Sequence, residues 1–132
     1  MRRAEIFSDL CGLHIGEIGA CGWQGDAGAE TIRYWSDKLK VSERQLLDDV
    51  ALDVADEFLA GNVGWEFGDW VANKVLFSGI TDFGLGGGPM ETPDPWWGVY
   101  LAFDDSETVK AHTEVRAREN IEDFLAELAN RT

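Results

Sequence analysis

The sequence predicts a mainly α-helical, single-domain bundle of about five helices, interrupted by a long glycine- and proline-rich loop. Three observations predict it. Apolar residues recur at three- and four-residue spacing in segments spread along the whole chain. The 132 residues, with 45% hydrophobic content, suit one compact core spanning 1–132, and no repeat, linker or second domain breaks them up. Glycines at 79, 84, 86, 87 and 88 and prolines at 89, 93 and 95 leave residues 78–95 without any period.

The first helix is expected over residues 4–11, where Ile6, Phe7, Leu10 and Cys11 share a face and Gly12 supplies a stop. Glycines at 16, 19, 22, 25 and 28 make residues 13–28 irregular, with 13–18 as a weak strand at most. Ile32, Trp35 and Leu39 then mark a helix over 29–39. Ser42 opens the clearest one as N-cap, with Gln45 at the capping-box position, and Gly61 ends it. Wound at about 100° per residue, that segment puts Leu47, Val50, Ala51, Val54 and Phe58 on one side. Asp49, Asp53 and Asp56 cluster on another. A further helix is expected over 64–77, with Phe67, Trp70, Val71 and Lys74 on one stripe and Gly79 as its stop. The last runs over 113–129, with Ala117, Ile121, Phe124, Leu125 and Leu128 inward.

Residues 94–105 form the densest apolar run in the chain. Asp94 as N-cap and Pro95 at the first helical position begin a helix in which Trp96, Val99, Tyr100 and Phe103 fall at i, i+3, i+4 and i+7. A buried strand would carry the same unbroken run, so an α+β fold with a short sheet including 96–103 is the alternative.

The net charge is −14, and its distribution is uneven. Residues 45–109 hold thirteen acids against Lys74 alone. Such a field repels nucleic acid and anionic membrane and attracts basic surfaces. Cys11 and Cys21 read as free thiols, and the absence of a long apolar run or a signal-like start leads to the expectation of a cytoplasmic protein.

No catalytic signature accompanies this pattern. Asp82-Phe83-Gly84-Leu85-Gly86-Gly87-Gly88 fits D-x-G-x-G-x-G and resembles the cofactor loop of S-adenosylmethionine-dependent methyltransferases. That loop must leave a strand and enter a helix, whereas Pro89 and Pro93 follow here and only 44 residues remain. Cys11, His14 and Cys21 lack the second close pair and fourth ligand of a zinc site. His14 and His112 read as surface or capping residues. No nucleophile, metal site or cofactor is therefore expected, and the chain is not read as an enzyme.

In size, charge, aromatic content and lack of catalytic motif, the chain resembles the small acidic inhibitors of bacteria and phages, namely immunity proteins and anti-defence proteins. The segment Trp97-Gly98-Val99-Tyr100-Leu101-Ala102-Phe103-Asp104 is similar to one in small uncharacterised bacterial proteins. The resemblance implies an inhibitor that neutralises a basic protein partner, such as a nuclease toxin or a nucleic-acid-binding effector. Asp49, Asp53 and Asp56 form one expected partner-binding cluster and Asp104, Asp105 and Glu107 a second, with Trp96 and Trp97 as aromatic anchors. A small ligand-binding domain or enzyme using the loop 82–90 as a lid is the alternative, and a homodimer with exposed aromatics is a third possibility.

Overall fold

A computed structural model describes residues 2–19, 27–108 and 112–131. Helices α1 (Ala4–Gly19), α2 (Ala27–Leu39), α3 (Glu43–Leu59), α4 (Trp65–Val71), α5 (Ser78–Thr81), α6 (Pro95–Ser106) and α7 (Thr113–Ala129) follow one another. A π-helical turn, Ala72–Leu76, continues α4. There is no strand among the described residues, so the sheet considered for 96–103 does not form. The architecture is a mainly α bundle. No helix among the described residues is long and apolar enough to cross a membrane.

Helix α3 lies at the centre. Its cap is the expected one: Ser42 Oγ accepts the Gln45 amide at 3.1 Å. Leu46, Leu47, Val50, Ala51, Val54 and Phe58 are all buried, and the helix contacts α1, α2, α4, α6 and α7. Beside it runs α6, which packs most extensively against α7 and α3. Trp96 and Phe103 are fully buried, and the Phe103 ring meets Phe58 edge-on at 5.3 Å. The helical reading of 94–105 is the correct one.

Close approach explains several glycines that local propensity reads as breaks. A β-carbon at Gly79 would lie 2.7 Å from Trp96 Cζ3, and one at Gly68 would overlap the Phe103 ring. Gly79 therefore does not end the helical path, because α5 passes through it. Gly12 does not end α1 either. The helix runs on to Gly19, and the weak strand over 13–18 is absent. Leu13 and His14 account for this extension: both are half-buried, and the His14 ring packs on Phe67 at 5.4 Å and Trp70 at 5.0 Å. These contacts outweigh a glycine cost of about 1 kcal/mol. His14 is thus a packing residue. The expectations for residues 20–26, Cys21 among them, lie outside the described residues.

Side chains of α3 also finish two other helices. Asp53 is 1% exposed and accepts the Arg2 and Arg3 amides at 2.7 and 2.9 Å, just ahead of α1. Asp48 Oδ1 accepts the Trp96 amide at 3.0 Å in the first turn of α6. Asp94 occupies the N-cap position of α6 without a side-chain capping bond, and its carboxylate pairs with Arg44 instead.

Candidate functional site

The two expected acidic clusters have different surroundings. Asp49, Asp53 and Asp56 do share one side of α3, but the two arginines that precede α1 occupy it. Arg3 Nε lies 3.0 Å from Asp49, and Arg2 Nη1 lies 3.2 Å from Asp56 and 3.7 Å from Asp53. With Asp53 buried beneath them, these three carboxylates join α1 to α3. Of the three, Asp56 alone keeps a substantially exposed side chain, at 56%.

Trp96 has no exposed surface and cannot serve as an anchor for a partner. Trp97 is half-buried at the margin of the core. Its ring stacks on Tyr100 at 4.9 Å with an interplanar angle of 12°, and Tyr100 in turn meets Phe77 at 5.2 Å. The result is a short aromatic ladder, two rungs from α6 and one from the end of the π-helical turn.

Carboxyls stand beside Tyr100, the middle rung of this ladder. Asp104 on α6 and Glu107 at its C-cap are exposed at i+4 and i+7 from Tyr100, whose hydroxyl makes a long 3.5 Å contact with Asp104. Asn73 of the π-helical turn reaches Glu107 at 3.4 Å. Asp69 joins them from α4. Burial, followed by interaction with Glu107 and Asp104, pushes its carboxyl from the ordinary value of 3.8 up to about 7. One of its oxygens, Oδ1, is buried without a hydrogen-bond partner. Burial and the Asp104 charge also push the Tyr100 hydroxyl up. Asp105 belongs elsewhere: its carboxylate turns to α7, accepting from Arg116 Nε and Asn120 Nδ2 at 2.9 Å each, and these bonds lower its pKa.

The site assembled by the fold is therefore Asp69, Asp104 and Glu107 beside Tyr100 and Trp97. Sequence reasoning missed Asp69 and Tyr100. Tyr100 could have been found from its place between Trp97 and Asp104 on one stripe of α6, whereas Asp69 is brought there by helix packing alone. The chemistry on offer is recognition of a cation, with aromatic faces for its apolar or π surface and carboxylates for its N–H donors. Among the described residues, no group of three or more His, Cys, Asp or Glu side chains could hold a metal ion.

The glycine-rich loop is fastened to the bundle. Leu85 N donates to Gly79 O at 2.7 Å and Asp94 N to Gly87 O at 2.8 Å, while Arg44 bridges Gly86 O and Asp94. Gly87 lies directly over the Trp97 ring. Met90, at the tip, is 95% exposed. Comparison with protein-family models, with curated proteins and with solved structures found no match in any of the three.

Proposed function

We propose that this chain is a binding protein that neutralises a basic protein partner, engaging it through the face of α6 that carries Trp97, Tyr100, Asp104 and Glu107. A toxin-immunity or anti-defence role is the biological form this reading takes. One observation carries it: Asp69, Asp104 and Glu107 converge beside Tyr100, where Asp69 Oδ1 is buried without a hydrogen-bond partner and the crowding raises the Asp69 pKa. Crowded negative charge is unfavourable in the free protein, and a guanidinium or ammonium group brought by a partner relieves it. The aromatic ladder beside the acids supplies the apolar contact that charge alone lacks. The net charge of −14 adds long-range attraction that speeds encounter at low salt.

The test is affinity capture from native lysate at low and high salt, with the wild-type chain and with the triple variant Tyr100→Ala, Asp104→Asn, Glu107→Gln. The expected result is a basic protein recovered by the wild type, released by salt, and lost with the variant. Recovery of no basic protein, or equal recovery by both chains, overturns the reading.

A further inference from the structure

A groove of about 320 Å³ lies between α6 and α7, on the side of α6 away from Glu107. Its floor is apolar. Leu101 is 40% exposed there, next to Ala102 and the Phe124 ring, and the close approach of the two helices requires Gly98, where a β-carbon would overlap Phe124. Its rim is acidic, formed by Asp105, Asp123 and Glu127. The volume is near the lower end for sites that enclose a small ligand, about 300–1,000 Å³, and the groove is open along its length. It suits one long side chain better than a small molecule.

The molecule's own Arg131 shows which side chain. Its guanidinium lies over the Phe124 ring at 5.6 Å, donates to Pro93 O at 2.7 Å and pairs with Glu127 at 3.3 Å. One end of the groove thus already holds an arginine by an aromatic face, a carbonyl and a carboxylate. At the other end, Asp105 is engaged by Arg116, while Asp123 is exposed and has no base against it among the described residues. We propose that the α6–α7 groove receives an arginine side chain of a basic protein partner, its stem over Leu101 and its guanidinium at Asp123. Arginine fits better than lysine, because its planar fork can give a carboxylate two N–H bonds at once, while the Phe124 face stays with Arg131. The proposal rests on the reading of the chain as a binder of basic proteins and adds a second contact surface to it.

The test is NMR titration of the isotopically labelled full chain at low salt with acetyl-glycyl-arginyl-glycinamide. The same peptide carrying citrulline, which keeps the shape and removes the charge, is the control. The expected result is saturable shifts at Gly98, Leu101, Asn120 and Asp123 with the arginine peptide alone, weakened about threefold by Asp123→Asn, as for an exposed ion pair. Asp104→Asn leaves those shifts unchanged, and melting curves confirm that both variants are folded. Equal shifts with citrulline, no shifts at all, or an Asp123→Asn variant no weaker than Asp104→Asn overturn the proposal. Shifts confined to Tyr100, Asp104 and Glu107 also overturn the groove while leaving the α6 face standing. Loss of capture by the triple variant reports on that face independently of Asp123.

Discussion

Replacing Asp69 with asparagine removes a carboxyl whose proton is held to about pH 7 by burial, Glu107 and Asp104. A folded-state value above the unfolded one means that the native state binds the extra proton between about pH 4 and pH 7. The stabilisation linked to that proton is complete below about pH 4 and is lost as pH rises through 7. Asparagine keeps the shape and never ionises. The two proteins should therefore be closest in stability near pH 4, and the variant should become the more stable as pH rises to 8. At 1.36 kcal/mol per tenfold, the shift from 3.8 to about 7 sets a ceiling of roughly 4 kcal/mol. Asp69 is only half-buried, so solvent and salt screen the repulsion, and the expected gap is about 1–2 kcal/mol. Urea denaturation followed by tryptophan fluorescence at pH 4, 5, 6, 7 and 8 measures it, and the gap should narrow in 300 mM salt, where the screening length falls below about 8 Å. Other titrating groups, such as Asp48, whose pKa is also raised by burial, are common to both chains and cancel to first order. A gap that does not change between pH 4 and pH 8, or one that favours the wild type at pH 8, refutes the account of a crowded acidic face.

Gly79→Ala should cost about 1–3 kcal/mol, because the new methyl lies 2.7 Å from Trp96 Cζ3 and the core must shift; an unchanged urea midpoint would refute that contact. Asp53→Ala leaves the Arg2 and Arg3 amides without their acceptor and should cost about 1–3 kcal/mol, whereas Asp56→Ala, at an exposed ion pair, should stay within about 1 kcal/mol. Equal melting shifts for these two variants would contradict the division of the α3 acids into buried and exposed members.

Periodicity made the helices legible because it reports which side of an element is buried. The inward sets of α3 and α7 came from that signal, the α3 cap from Ser42 with Gln45, and the helical reading of 94–105 from periodicity together with Asp94 and Pro95; the same spacing that places Trp96, Val99 and Phe103 together also says that Trp96 faces the core. Treating Trp96 as an anchor therefore set composition against pattern, and the pattern was right. Periodicity does not report the neighbour across the packing. Asp53 lies on the acidic stripe of α3, yet it is buried because Arg2 and Arg3 return to it from 50 residues away. In the same way, Asp94 carries the sequence signature of a cap, but Arg44 takes its carboxylate and Asp48 does the capping. Gly12 and Gly79 look like stops to a local rule, and tertiary packing carries the helical path through both. Asp69 gave no local signal at all, since its pKa depends on residues 35 and 38 positions further along.

The capping of α1 and α6 from α3 has a consequence for the order of assembly. The acceptor for the Arg3 amide lies 50 residues downstream, so the start of α1 cannot be completed until α3 has been made. The Trp96 amide, by contrast, meets an acceptor made 48 residues before it. Helix α3 carries its own local cap, and it is the template on which both flanking helices acquire their first turns.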